Sequence, residues 1–187
     1  VTTADLLPGM PEPPEPETRT LTEREMLDLL HLRYGFVSKN GGIAKPRYVK
    51  AEHVRATSGF FDKGAALART ADFIAVDTWQ SGKCAIHGVE IKVSRPDWLR
   101  ELKDPAKAAA CMNWCTHWWL AVPDEAIVRE GELPHGWGFL AARKHGDGLR
   151  LVQIVTAPRR AVPPIPPESM ASLLYAVART AAARGTA

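Results

Sequence analysis

Cysteine is scarce in this chain: three among 187 residues, and an odd number. That argues against a disulfide framework, because small secreted folds pair their cysteines in dense, even sets. No apolar run approaches the roughly 20 residues that a helix needs to cross a bilayer, and no charged-then-apolar leader opens the sequence. Charge of one sign is missing as a bulk property, since 24 Lys and Arg face 21 Asp and Glu for a net +3. No internal repeat is present. These absences lead to the expectation of a soluble, cytoplasmic protein with no membrane partner. It would hold one compact domain of about 150 residues plus tails.

What the average hides is local. From Lys39 to Arg69, seven basic residues stand against two acidic ones, the surplus that a phosphate-facing surface needs. A solvated, flexible face accounts for that run equally well. The stretch "LPGMPEPPEPETR" (7–19) is Pro- and Glu-rich, too polar to pack, and residues 1–19 read as a disordered arm. Residues 20–157 are expected to form the domain. Residues 158–187 would be a Pro-rich spacer, "PPIPP", and an Ala-rich C-terminal helix.

Within the domain, "LTEREMLDLLHLRYG" has helical period, with Leu27, Leu30 and Tyr34 on one stripe. Thr22 and Glu25 make a capping box, and Gly35 is a natural stop. Glu23 lies one turn before Leu27 on the stripe and is expected to point inward. "YVKAEHV" reads as a strand entering the core. "TADFIAVDTW" (70–79) and "CAIHGVEIKV" (84–93) are apolar on both faces, the pattern of central strands covered on both sides. Short helices follow from Pro96 and Pro105, then a strand "THWWLAVP", then a hairpin of "GWGFLAAR" and "GLRLVQIV". That order predicts an α/β domain around a mixed central sheet flanked by helices.

One stretch does not suit a buried strand. Glu90 and Lys92 alternate onto the face that carries Ile86 and Gly88, and burying charge is expensive without compensation. If the two strands pair around 80–83, Asp72 falls opposite Ile91, and a one-residue bulge or register change sets it beside Glu90. Two carboxylates and an amine then converge at a sheet end. Mg²⁺ takes hard oxygen ligands and keeps several waters, so one or two carboxylates hold it against a phosphate. A lysine in contact would stabilise charge developing there. The opposing reading is a Glu–Lys ion pair at a strand end, and spacing alone leaves both open.

The run "TADFIAVDTW…HGVEIKVSRPDWLRELKDPAKAAACMNWCTHWWLAVP" resembles the core of the PD-(D/E)XK nuclease superfamily. In detail it is similar to the MmcB-like DNA-repair branch and related phage-encoded proteins. The resemblance covers about residues 69–123 and implies a restriction-endonuclease-like core. It implies metal binding by Asp72, Glu90 and the carbonyl of Ile91, with Lys92 as the catalytic lysine. A glutamate from the first helix often joins such sites. The stripe favours Glu23 over Glu25, whose task is capping, and Glu52 is a rival. Ser94 fits the branch's "K-x-S" pattern and would touch substrate. Ala71 stands where proline is common before the aspartate, a departure that removes no ligand.

The activity implied is a Mg²⁺-dependent deoxyribonuclease, with Mn²⁺ able to substitute, in DNA repair, recombination or phage DNA processing. DNA is the expected partner, and a homodimer stays open. Arg55 and Arg69 flank the proposed site strands, and with Lys50 and Lys107 they are expected to bind the DNA backbone. No base-reading module is recognisable. A binding protein without turnover on the same fold is the alternative, and a zinc-stabilised interaction module is a further one. Cys111, Cys115 and His117 have near-zinc spacing but read more simply as small buried residues. Three cysteines cannot supply the four-cysteine iron–sulfur cluster of some relatives. Trp114, Trp118 and Trp119 are expected in the core rather than against bases. His31, His53 and His87 are expected to be structural.

Overall fold

The structure, a computed structural model, describes residues 20–35, 46–56, 70–104 and 106–185, with the backbone alone at 106–108. The proposed arm 1–19 and Arg69 lie outside the described residues. Helix α1 (Glu23–Arg33) starts at the expected capping box, where the Thr22 hydroxyl accepts from the Glu25 N–H and the Glu25 carboxylate accepts from the Thr22 N–H. Strands β1 (Tyr48–Arg55), β2 (Thr70–Asp77) and β3 (Ile86–Ile91) follow. Then come α2 (Arg95–Lys103), α3 (Ala106–Met112), β4 (His117–Val122), β5 (Gly138–His145), β6 (Gly148–Val155) and α4 (Pro167–Arg184).

The six strands form one sheet in chain order, β1 to β6. β3, β4 and β5 run parallel, and the remaining neighbours pair antiparallel. The fold is α/β with a mixed sheet flanked by helices. One core lies under α1, where Met26, Leu27 and Leu30 meet Phe73, Val89, Ile91 and Leu140. On the other face Trp98 of α2, Cys111 of α3 and Leu173 of α4 close over Ile74, Trp118 and Leu120. No helix among the described residues is long and apolar enough to cross a membrane.

The β4 tryptophans pack the sheet rather than facing solvent. Trp118 pairs with Gly88 and Trp119 with Gly138. Each indole lies where the glycine's missing Cβ would be, so the two large rings occupy the room those glycines leave on adjacent strands.

The C-terminal helix, expected as a segment beyond the domain, is part of the core. β1 is an edge strand, and its open backbone groups need partners. Side chains of α4 supply them. Thr180 accepts from the Glu52 N–H at 2.9 Å, Arg179 donates to the Glu52 and His53 carbonyls at 2.8 and 3.1 Å, and Ser169 donates to the Ala56 carbonyl.

His87 on β3 stacks on His117 of β4, with ring centroids 4.5 Å apart, and accepts from the Trp119 indole N–H. Burial pushes its pKa down to about 4, with His117, Arg33 and Arg159 adding to the effect and Asp77 opposing it. A histidine held neutral in the fold contributes stability above its unfolded pKa and loses it as pH falls through the folded one. Urea unfolding is expected to show a loss on the order of 3 kcal/mol between pH 6.5 and pH 4 from this group. His87→Asn, which cannot charge, should flatten that slope; an unchanged slope would place the acid sensitivity elsewhere.

Candidate active site

The β2–β3 register differs by one residue from the expected pairing. Phe73 pairs with Val89 and Ile74 with Gly88, which aligns Asp72 with Glu90 rather than Ile91. The turn closes on a hydrogen bond from the Asp77 N–H to the Ala85 carbonyl, with Lys83 and Cys84 in left-handed backbone conformation. Those two non-glycine residues carry no sequence signal for such a turn. The ladder ends at Phe73. Beyond it the Asp72 carboxylate takes the Ile91 N–H at 2.7 Å, so the side chain replaces the next strand partner and is fixed at the sheet end.

Burial pushes the Asp72 carboxyl up to about 6; Glu23 adds to this, while the Ile91 N–H, Lys92 and His53 oppose it. Glu90 is buried and takes the Lys92 ammonium at 2.6 Å. Burial, then the charges of Asp72 and Glu101, push the Glu90 carboxyl up to about 8 against the pull of Lys92. Burial alone would lower the Lys92 pKa, but Glu90, Glu101 and Asp72 outweigh it and hold the ammonium above its usual range. Two carboxylates with raised pKa values beside one lysine describe a site with surplus negative charge.

Two further groups complete the neighbourhood. Glu101 on α2 is buried and sits 3.1 Å from the Lys92 ammonium. On the other strand pair, ligand atoms of Glu23, His53 and Asp72 lie within 4.8 Å of one another. Among the described residues this is the one convergent set of His, Cys, Asp and Glu side chains, and Glu90 stands outside it. Glu23 comes beside Asp72, with its Oε1 3.8 Å from His53 Nδ1. It stays exposed at the rim and does not point inward as the α1 stripe predicts, because it lies at the first turn, ahead of the buried Met26, Leu27 and Leu30.

His53 reaches this position through its backbone. It faces Asp72 between the pairs Glu52–Phe73 and Val54–Ala71 and has φ +50°, an uncommon conformation for a side-chain-bearing residue. As a result Ala51 and Val54 both face the α4 core, which simple alternation forbids. Arg179 holds the carbonyl at the kink.

The other expected residues fall in different places. Glu52, the rival ligand, accepts from His31 at 2.8 Å, from Arg184 at 2.5 and 2.8 Å, and from Arg24 at 3.4 Å. It is the centre of an ion cluster tying α1 and α4 to β1. Arg55 is exposed and pairs with Thr70, close to Asp72. Lys50 pairs with Ala75, farther down β2, and burial and Arg184 lower its pKa. The Ser94 hydroxyl caps α2 by accepting the Asp97 N–H at 3.3 Å. Lys107 lies on α3, its side chain outside the described residues.

Sequence reasoning missed Glu101 and set His53 aside. Glu101 was legible in principle: it lies three residues after Trp98, and these two are the buried residues of α2. His53 carried no comparable signal. Cys111 and Cys115 are buried thiols outside any disulfide, their pKa values pushed up by burial, that of Cys111 to about 12. Such thiols are inert rather than nucleophilic.

No family model matches this sequence, and no curated protein matches it. Among solved structures, a protein of unknown function from Silicibacter pomeroyi is similar, with 22% identity and a TM-score of 0.48. The match covers 74% of this chain and 77% of that one. A likeness at that level bears on no activity.

Proposed function

We propose that this chain is a metal-dependent DNA nuclease of the PD-(D/E)XK kind. It would hydrolyse phosphodiester bonds in repair, recombination or phage DNA processing. The observation that carries the reading is the meeting of Asp72, Glu90 and Lys92 at one end of β2 and β3, with both carboxyl pKa values raised. A buried carboxylate, Glu90, and a half-buried one, Asp72, that repel one another are what a divalent cation would relieve. The donor chemistry fits such an ion: Asp72, Glu90 and Glu23 offer hard oxygens, and His53 adds a nitrogen beside them. Mg²⁺, or Mn²⁺ in its place, would there supply Lewis acidity to the scissile phosphate and a more acidic bound water.

The chain's own residues have separable tasks. Asp72, tied to the Ile91 N–H, keeps its carboxylate at the sheet end. Lys92, with its proton held by two carboxylates, acts as a fixed positive charge near the phosphate rather than as a base. Arg55 and the basic run from Lys45 to Arg69 would grip the backbone, which positions DNA without reading sequence.

Calorimetric titration with Mg²⁺ and Mn²⁺ tests the reading without DNA. Binding is expected to tighten from pH 6 to pH 8, because the cation must displace protons from carboxyls titrating near about 6 and 8. Asp72→Asn and Glu90→Gln should each weaken it by about tenfold or more. The nitrogen of His53 should make Mn²⁺ the tighter ion. Absence of binding by the wild-type protein would sink the metal site.

A further inference from the structure

The proposed reaction leaves Lys92 with a difficulty. Glu90 would face the cation, yet in the structure its Oε1 is the closest partner of the Lys92 ammonium, at 2.6 Å. A lysine whose partner turns to a metal is a flexible stem carrying a charge that the metal repels. It needs a second anchor.

Glu101 has the features of that anchor. It reaches Lys92 from α2, a different element from the strand carrying Glu90, with Oε2 3.1 Å from Nζ. Its Oε1 is buried with no hydrogen-bond partner among the described residues. An orphaned, buried carboxylate oxygen destabilises a fold, so the residue is not there for packing. Nor does α2 depend on it. Ser94 caps the helix, the Trp98 indole donates to Glu132 at 3.2 Å, and Arg95 donates to the Ile127 carbonyl at 2.8 Å and forks onto Glu132.

We infer that Glu101 is a positioning residue: it holds the Lys92 ammonium in place when Glu90 is engaged by the cation. The inference rests on the nuclease reading for its purpose, and on the contact with Lys92 for its substance.

The test compares full-length Glu101→Leu and Glu101→Gln with wild type. Leucine removes the orphaned oxygen and leaves Lys92 paired with Glu90, so the thermal midpoint should hold or rise. The kcat for DNA cleavage should fall about 10- to 100-fold, the usual cost of losing a supporting partner. KM for DNA should not move. Glutamine keeps an acceptor for the ammonium and should recover part of the loss. A stability loss that tracks kcat, or an unchanged kcat in the leucine variant, would overturn the inference.

A second readout needs no turnover. NMR relaxation at the Lys92 side-chain tip should show it ordered in Glu90→Ala, where Glu101 alone still holds it. In Mg²⁺-loaded Glu101→Leu it should be mobile; equal order in both would overturn the assignment. Absence of cleavage by the wild type would instead defeat the nuclease reading, and the relaxation measurement would still decide what holds Lys92.

Discussion

Lys92→Met is expected to lower the rate of metal-dependent DNA cleavage by about 10²- to 10³-fold, the typical loss for removing one preorganised charge-stabilising group. The same substitution leaves Glu90 and Glu101 buried without their shared counter-ion. Breaking a buried pair in this way costs about 3–5 kcal/mol, so melting should be followed beside single-turnover cleavage and the rates read well below the midpoint. Divalent cation should restore part of the stability, because it neutralises Glu90, but none of the rate. Lys92→Arg separates the two effects. It keeps a positive charge for the carboxylates and should keep most of the stability. Its planar fork cannot sit where a compact ammonium sits, so most of the rate should still be lost. Full cleavage by Lys92→Met in a folded protein would remove the lysine from the mechanism.

Gly88→Ala should be among the most damaging single-methyl substitutions in the chain. A Cβ at this position would overlap the Trp118 ring and stand 2.8 Å from the Cys115 sulfur, both fully buried. Neither has room to retreat in a close-packed interior, and overpacking of this kind costs about 3 kcal/mol. If β3 shifts to relieve the clash, Glu90 two residues on moves with it, so cleavage should fall as well, and Mg²⁺ should not rescue it. Trp118→Phe opens space above the glycine. In the double variant the two losses should be less than additive, read from urea unfolding of all four proteins. Strict additivity would mean that the ring does not dictate the glycine.

Local chemistry wrote most of this fold into the sequence. The capping box at Thr22 and Glu25 and the two-faced apolar strands were legible because propensity and burial agree there. The hairpin register was not, since Lys83 and Cys84 adopt left-handed backbone without glycine to announce it. The docking of α4 onto β1 was also hidden, because much of what fixes it is side-chain bonds to backbone across more than a hundred residues. At the site, Asp72, Glu90 and Lys92 stood out as charges in apolar runs. Glu23 stood out by its place on the α1 stripe. His53 did not, because its approach to Asp72 depends on a kink that breaks strand alternation. A residue expected to be structural thus faces the proposed metal site, and Glu52, a rival for that site, ties helices together.

The most direct measurement is cleavage of labelled single-stranded, double-stranded and branched DNA by the wild-type protein with Mg²⁺, Mn²⁺ or EDTA, beside Asp72→Asn. The account predicts cutting with either metal, none with EDTA and none by the variant. Persistent cutting in EDTA, or intact DNA under every condition from a protein that still binds it, would contradict it. In the second case Asp72, Glu90 and Lys92 would be a structural ion cluster in a DNA-binding protein.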